Sequence, residues 1–367
     1  MKTAIPEQRL HNQRITRAVH RQPADVVAWL GAVQAQEYPA ARWGLALRMP
    51  PGTTDAEIER AVDEGRILRT HVMRPTWHFV TPADIHWMLE LTAPRVHRAM
   101  SYYRRQHGLE TALLTRATAA FERALRDGQC LTRTELGAQL GRGGPVTNVT
   151  QVAKGIPLAL LTIYAELEGV ICSGPRRGKQ LTYALLPERA PRTTRLSRDE
   201  ALAELTGRYF RSHGPATIRD FTWWSGLTTA DAKRGLEMNK ARDEVVDGRT
   251  YWTIGRMPAV ATARGTVHLL PVYDEYLVAY RDRDAVPHLA SKIRSGIRSG
   301  IRSVTFQHTL VIAGQVAGTW KTVRKASGAV LDVIPLRPLT RPERRALDEA
   351  AVRYGRFLDV PVSLSIL

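Results

Sequence analysis

Two glutamines one residue apart lie in the segment Val33-Gln34-Ala35-Gln36-Glu37-Tyr38-Pro39. Paired side-chain amides offer two acceptors and four N–H donors with no charge to desolvate, so together they could hold a water molecule in place. Residues two apart diverge on a continuous helix. Because a proline disfavours helix at the residue before it, we expect a short turn between two helices in which both amides can face one side. The alternative is two ordinary glutamines at a helix end.

A second candidate cluster lies in the stretch ILRTHVMRPTWHFV, residues 67–80, whose many β-forming residues predict a two-stranded ribbon. An arginine can bind a phosphate and an aromatic ring can stack on a base. The candidate nucleic-acid contacts are His71, Arg74, Trp77 and His78. The alternative is a half-buried ribbon whose histidines pair within the protein.

A third stretch with polar side chains runs from Leu270 to Tyr276 and contains Asp274 and Glu275. The two carboxylates could orient arginine side chains. We expect a structural rather than a catalytic role for them.

The net charge favours a polyanionic partner. The chain of 367 residues has 53 Lys and Arg against 35 Asp and Glu, a formal charge of +18 that is spread over all segments. A folded surface that is positive in several places suits a nucleic acid better than a small anion. The alternative is arginine-rich codon usage combined with solubility.

Several function classes are excluded or disfavoured by composition. No apolar run approaches the roughly 20 residues of a membrane helix, and the N-terminus has no apolar core of a signal peptide. Cys130 and Cys172 make neither a disulfide framework nor a zinc site, and the 11 histidines show no metal-binding spacing. We therefore expect no metal and no cofactor, and a location in the cytoplasm.

The order of predicted elements repeats. Three segments, 1–110, 111–195 and 196–264, each read as helices followed by a two-stranded wing, which is the order of a winged helix-turn-helix. TRTELGAQLG at 132–141 and TIRDFTWWSG at 217–226 match in their threonine, acidic residue and final glycine. The wings are predicted at a basic turn whose Arg176 and Arg177 are candidate DNA contacts, and at Asp247-Gly248-Arg249, a hairpin signal.

The last segment, 265–367, reads as a small β-rich domain. Strands are expected over 267–280 and 304–323, with a turn at Ala313-Gly314-Gln315, and a helix over about 341–354. Between these strands an Ile-Arg-Ser-Gly repeat carries Arg294, Arg298 and Arg302, which we interpret as a mobile basic loop that contacts DNA; a neutral repeat expansion is the alternative. The predicted fold class is thus α+β: three tandem winged helix-turn-helix repeats and a C-terminal β-rich domain.

The combination of GAVQAQEYPAARWGLALR, RTHVMRPTWHFV, LLPVYDEYLVAYRDR and VAGTW resembles the AlkZ/YcaQ-type bacterial DNA glycosylases of the HTH_42 winged-helix superfamily, over nearly the whole chain. The resemblance implies winged helices around a basic concave surface and removal of bulky alkylated purines, including interstrand crosslinks. It also places the family's catalytic Gln-apolar-Gln motif on Gln34 and Gln36. The YcaQ branch has an acidic residue at the second position, so Gln36 assigns this chain to the AlkZ branch.

The chemistry expected from the resemblance is plausible for these residues. Alkylation at guanine N7 makes the base a cationic, good leaving group, so the enzyme needs mainly to place water and stabilise positive charge on the sugar. No lysine is near the motifs, which disfavours Schiff-base chemistry, and the adjacent Glu37 could assist. We expect a nucleoid-associated monomer that acts on double-stranded DNA bearing alkylated purines, in repair or in self-resistance to a DNA-alkylating natural product. The rival class is a non-catalytic winged-helix regulator or a sequestering resistance protein.

Overall fold

Helices form where apolar residues recur at helical spacing, and they account for most of the chain before residue 240. The computed structural model describes residues 5–140, 156–192, 195–255, 260, 265–283, 307–325 and 328–367. Its helices, numbered in chain order within this part of the chain, are α1 (Ile5–Asn12), α2 (Pro23–Leu30), α3 (Tyr38–Ala46), α4 (Asp55–Asp63), α5 (Ile85–Gln106), α6 (Thr111–Leu125), α7 (Arg133–Gln139), α8 (Ile156–Leu167), α9 (Leu186–Arg189), α10 (Arg198–Ser212), α11 (Ile218–Ser225), α12 (Thr229–Met238), α13 (Glu275–Val278) and α14 (Arg341–Leu358).

The strands are short in the first two thirds of the chain and longer near its end. They are β1 (Val33–Gln34), β2 (Leu68–His71), β3 (Trp77–Val80), β4 (Leu131–Thr132), β5 (Ile171–Ser173), β6 (Thr182–Leu185), β7 (Arg242–Val246), β8 (Arg249–Thr253), β9 (Val267–Leu270), β10 (His308–Ile312), β11 (Gln315–Lys325), β12 (Gly328–Pro335) and β13 (Val362–Ile366). No helix in the described ranges is both long and apolar enough to cross a membrane.

The chain divides into two compact units. Unit 1 contains Met1–Glu59, Thr206–Trp224 and Thr228–Leu367, and unit 2 contains Arg60–Leu205 and Ser225–Leu227. The mixed α+β class and the C-terminal sheet are confirmed. The four predicted segments have other boundaries than these two units, and the division into four stays a prediction.

Five strands of unit 1 form the C-terminal sheet in the order β13-β12-β11-β10-β9. Neighbouring strands are antiparallel except for β12 and β13, which run parallel. Parallel neighbours need a long crossover connection, and α14 provides it. The predicted turn at Ala313-Gly314 joins β10 to β11, and both residues have positive φ angles, 48° and 77°. The prediction of strand over 267–280 is wrong beyond Leu270: Pro271 cannot donate to a ladder, and the Asp274 side chain caps the short helix α13.

Helix α3 is anchored within unit 1 to the C-terminal part of the chain. The indole N–H of Trp43 donates to the carbonyl oxygen of Leu269 at 2.7 Å, and its ring packs 4.9 Å from Tyr354 and 5.0 Å from Phe357 of α14. The Arg353 guanidinium donates to the carbonyl oxygens of Ala46, Leu47 and Met49, at the end of α3 and just beyond it, where a helix lacks partners for its last carbonyls. These contacts fix the helix that follows the paired glutamines.

Two short sheets in different units start the same way. In unit 2, β4 pairs with β6, and Thr132 then caps α7 in a capping box with Glu135. In unit 1, Ala216 forms a bridge with Trp252 of β8, and Thr217 and Asp220 exchange the same pair of hydrogen bonds at the start of α11. The hairpin predicted at Asp247-Gly248 is confirmed; both residues have positive φ, as a tight two-residue turn requires.

Close packing of α12 against α10 generates a prediction about stability. A methyl group added at Gly235 would lie 2.2 Å from Thr206 Oγ1 and 2.8 Å from its Cβ. Alanine favours a helix over glycine by about 1 kcal/mol, but overpacking costs about 1–3 kcal/mol. We expect Gly235→Ala to lower the free energy of unfolding by about 1–2 kcal/mol in urea titrations. Lys233→Ala, on the exposed side of the same helix, is the control, and an equally stable Gly235→Ala protein would contradict this packing.

Candidate active site

The segment that carries the paired glutamines lies between two helices and consists of a two-residue strand followed by a bend. Gly31, with φ 86°, ends α2, and its N–H donates to the carbonyl oxygen of Val27. Gln34 is the last residue of β1, and α3 begins at Tyr38, with Pro39 in its first turn. The prediction of a non-helical connection is confirmed, although Tyr38 itself is helical. Because the chain is not helical between Gln34 and Gln36, their side chains are not forced apart as they would be two positions apart on a helix.

Burial differs along the motif in a way that suits a site at a surface. Ala35 is completely buried, and Gln34 is 8% exposed. Gln36 is half-buried, and Glu37 is exposed. The apolar middle residue therefore anchors the segment in the core of unit 1, while exposure increases toward the start of α3.

The backbone of Gln34 is held by a buried carboxylate. Glu275 Oε1 accepts a hydrogen bond from the Gln34 N–H at 2.7 Å, and Glu275 Oε2 accepts one from the Trp224 indole N–H at 3.0 Å. The Glu275 side chain has no exposed surface. The sequence does not predict that Glu275 holds Gln34, because 241 positions separate the two residues and no local pattern connects them.

Next to Glu275, an arginine and a carboxylate form a bidentate pair. The two terminal nitrogens of Arg48 each lie 2.8 Å from an oxygen of Asp274, and both side chains are 1% exposed. Arg48 also donates to the carbonyl oxygen of Gly44 and to Gln13 Oε1. The expectation that this stretch supplies a carboxylate that orients an arginine is confirmed for Asp274. The pair joins the end of α3 to the start of α13.

The charges of this cluster follow from burial and from these partners. Burial alone lowers the pKa of Arg48, but the charge and hydrogen bonds of Asp274 outweigh it, so its pKa is raised and it stays protonated. Burial lowers the pKa of His213, whose Nε2 lies 3.5 Å from Glu275 Oε2, despite the opposing charge of Glu275. His213 is therefore a neutral imidazole at neutral pH.

Tyr273 has an unusual backbone conformation, and no pattern in the sequence marks it as a functional residue. Its φ of 60° lies in the left-handed region, which is uncommon for a bulky residue and recurs at functional sites. Burial raises the pKa of Tyr273, and the nearby charge of Glu37 raises it further. The Tyr273 phenol is therefore close enough to Glu37 to be affected by its charge.

In unit 2, the 67–80 ribbon is confirmed as β2 and β3, and two of its side chains contact the buried Glu166. His71 Nδ1 contacts Glu166 Oε2, and the Trp77 indole N–H lies 3.4 Å from Glu166 Oε1. The Arg69 guanidinium lies 4.3 Å from the centre of the Trp77 ring. Arg69, Trp77 and Arg133 line a cavity of about 280 Å³. Glu166 also lines this cavity, so two arginines and an aromatic ring, which suit a phosphate and a base, lie there beside a carboxylate.

The other selected residues of the ribbon differ in exposure. His78 is fully buried, and its Nδ1 lies 2.9 Å from the carbonyl oxygen of Thr76. Burial and the charge of Arg74 hold the pKa of His78 well below its usual value. Arg74 is half-buried. Their roles toward DNA stay predictions.

The basic turn of unit 2 is partly exposed. The Arg176 N–H donates to Asp63 Oδ1 at 2.8 Å, and its side chain is half-buried. Arg177 is exposed and forms an ion pair with Glu135. The remaining predicted DNA contacts, Arg294, Arg298 and Arg302, lie outside the described residues.

Comparison with known proteins decides the family. The model of the AlkZ-like DNA glycosylase family matches residues 27–357. The chain belongs to the AlkZ-like DNA glycosylases. It is 26% identical to the interstrand DNA cross-link repair glycosylase of Streptomyces sahachiroi, over 95% of this chain and 94% of that protein. The solved structure of Streptomyces sahachiroi DNA glycosylase AlkZ has a TM-score of 0.82 and 24% identity, and each chain is covered completely.

Family membership confirms the resemblance found in the sequence, and it makes this enzyme a DNA N-glycosylase. The paired glutamines lie inside the matched range, as do the two carboxylates that stabilise their surroundings, Asp274 and Glu275. The family match gives the activity and the matched range, and it assigns no role to individual residues.

The Arg48–Asp274 pair generates a prediction about the glycosylase core. Removing one partner of a buried ion pair costs about 3–5 kcal/mol, because the other charge stays buried without compensation. We expect Arg48→Met to lower the free energy of unfolding by this amount. Arg48→Met combined with Asp274→Leu removes both charges and should recover part of the loss. A double variant that is less stable than Arg48→Met alone would contradict the pair as the source of the effect.

Proposed function

We propose that this enzyme is a monofunctional glycosylase that hydrolyses the N-glycosidic bond of bulky N7-alkylated purines, including those in interstrand crosslinks. Support comes from the family, from the name of the Streptomyces sahachiroi relative and from the formal charge of +18. The enzyme acts on duplex DNA at the nucleoid as a monomer. It serves repair or self-resistance to a DNA-alkylating natural product.

The arrangement around Gln34 and Gln36 is the observation that carries the catalytic part of the proposal. Gln34 ends β1, Gln36 follows two residues later in the bend before α3, and Gln36 is half-buried. The two amides hold a water molecule against the sugar carbon of an N7-alkylated nucleotide. Cleavage of the C–N bond leaves the electron pair on the neutralised purine, and the water adds to the sugar and loses a proton. A cationic purine leaves readily, so neutral amides suffice for the reaction.

Glu37 is the nearest candidate for accepting the water proton. It is exposed, and it follows Gln36 directly. After burial, the charge of the Glu37 carboxylate is the second cause that raises the pKa of the Tyr273 phenol. In this proposal Glu37 assists the two amides rather than replacing them.

DNA binding is proposed to use three winged helices. Two of them share the sequence of elements described above: a bridge to the hairpin, a threonine cap with an acidic residue three positions later, and a following helix. In the first, the ribbon of β2 and β3 is the wing. Arg74 and Trp77 are its half-buried side chains and contact DNA, whereas His71 and His78 contribute from buried positions.

The first prediction from this proposal concerns the two glutamines. A positioned catalytic group contributes about 10²–10⁴ in rate. Gln34→Ala and Gln36→Ala should lose base release near the lower end of that range, because the cationic purine already leaves easily. The measurement is single-turnover release of N7-alkylguanine from a defined duplex. DNA affinity should change only a few-fold, since neither side chain carries charge.

The outcomes of this experiment separate the candidate residues. Wild-type release by the double variant Gln34→Ala/Gln36→Ala would remove these residues from the mechanism and direct attention to Glu37 or to the ribbon. The product should be an intact abasic strand, because the proposed step uses water rather than a lysine. Binding of DNA without release from any N7-alkylated substrate would favour the rival regulator or sequestering protein.

The second prediction concerns the distributed charge. If about five phosphates are neutralised, the logarithm of the association constant should fall with the logarithm of salt concentration with a slope of about −4 to −5. Replacing Arg294, Arg298 and Arg302 together with alanine should weaken binding and reduce the steepness of this slope. Single-turnover release at saturating enzyme should stay nearly unchanged. A flat salt response in the wild type would contradict the basic-surface proposal, and a large loss in the saturated rate would place the repeat in the active site.

A further inference from the structure

We propose that Glu275 is a positioning residue for catalysis, whose carboxylate fixes the segment that carries Gln34 and Gln36. The inference rests on the proposed function of those glutamines. Its basis is the 2.7 Å hydrogen bond from the Gln34 N–H to Glu275 Oε1, together with the complete burial of the Glu275 side chain. Hydrogen bonds to an ionised acceptor are roughly twice as strong as neutral ones.

The chemistry of this contact requires a carboxylate. Two N–H donors, from the Gln34 backbone and the Trp224 indole, face the two oxygens of Glu275. A glutamine side chain of the same shape has one oxygen and one NH₂ group. In either orientation its NH₂ would meet one of the two donors, so one of these contacts would be lost.

The neighbouring cation Arg48 is bound to other partners. Arg48 directs both of its terminal nitrogens to Asp274 and also donates to Gln13 and to the carbonyl oxygen of Gly44. His213 lies 3.5 Å from Glu275 Oε2, and burial lowers its pKa. The short contacts of Glu275 are therefore directed to the glutamine segment and to Trp224, which suits positioning rather than a salt bridge.

Positioning by Glu275 has a consequence for the reaction. A misplacement of about 1 Å at a reacting group can cost 10²-fold in rate. Gln34 sits at the end of a strand of two residues, so its own ladder contributes few hydrogen bonds.

The test is Glu275→Gln in the full-length enzyme, with single-turnover release of N7-alkylguanine as the readout. We expect the rate at saturating enzyme to fall by about 10–100-fold, in keeping with loss of positioning. DNA affinity should change only a few-fold, because Glu275 is buried away from phosphates. A wild-type rate in a folded Glu275→Gln enzyme would overturn the proposal.

A matched control separates positioning from general destabilisation. Tyr276 is the next residue of α13; it is buried, and its OH donates to the carbonyl oxygen of Gly314 at 2.5 Å. Tyr276→Phe removes one buried hydrogen bond from the same helix. The Tyr276 hydroxyl takes no part in the proposed reaction. It should lower the melting temperature while leaving the rate of release unchanged. If Tyr276→Phe lost as much rate as Glu275→Gln, the loss would come from destabilising the helix, and the positioning role of Glu275 would be contradicted.

A double-mutant cycle tests whether Glu275 acts through the glutamine. If it does, adding Glu275→Gln to Gln34→Ala should cost much less than it costs in the wild type, because residues that act as a unit are non-additive. Full additivity would overturn the proposal. A wild-type rate for Gln34→Ala itself would instead refute the proposed function, so the two failures are distinguishable.

A second variant covers the case in which Glu275→Gln does not fold. Trp224→Phe keeps the aromatic ring but removes the donor to Glu275 Oε2. It should slow release several-fold by loosening the carboxylate, while Tyr276→Phe does not. Unchanged release in Trp224→Phe would count against positioning by Glu275.

Discussion

The hydrogen bond from the Gln34 backbone to the Glu275 carboxylate is the contact on which the candidate site depends. It ties a two-residue strand to a short helix 241 positions later in the chain. A strand of this length has almost no stability of its own, because it forms few ladder hydrogen bonds. The position of both amides is therefore set by tertiary contacts: Glu275 behind Gln34, the buried Ala35, and α3 anchored through Trp43 and Arg353.

The charged side chains around this contact are buried, and their loss of hydration opposes folding. Removing an ion from water costs several kcal/mol even after relaxation, and a buried pair repays this only with good geometry and further hydrogen bonds. Arg48 and Asp274 meet that condition through two 2.8 Å contacts and through bonds to Gln13 and Gly44. A well-packed apolar core could be equally stable, but it would offer Gln34 no acceptor. The polar network thus specifies one arrangement of the motif.

Local patterns in the sequence predicted the elements around the site well. The non-helical glutamine segment followed from Pro39, the ribbon from its β-forming residues, and the hairpin from Asp247-Gly248. The resemblance also identified the family correctly. Each of these signals lies within a short stretch of chain, where backbone sterics or a motif decide the outcome.

Features that depend on distant residues could not be predicted in the same way. The apolar run over 267–280 favours strand, but the Asp274 side chain caps a helix there, and the partner that orients Asp274 is Arg48. The grouping of Met1–Glu59 with Thr206–Trp224 and Thr228–Leu367 depends on packing across the chain, as does the partner of Glu275. Strands β12 and β13 were missed because their pairing is set by the sheet.

We propose that this glycosylase releases a cationic alkylated purine by using water and leaves the DNA backbone intact. The most direct measurement incubates the wild-type enzyme with a duplex that contains one N7-alkylguanine, and quantifies the free base and the strand products separately. The account predicts enzyme-dependent release of the alkylated base, one abasic site per base released, and no strand cleavage before alkali treatment. Tight binding of the duplex with release no faster than spontaneous depurination would contradict it.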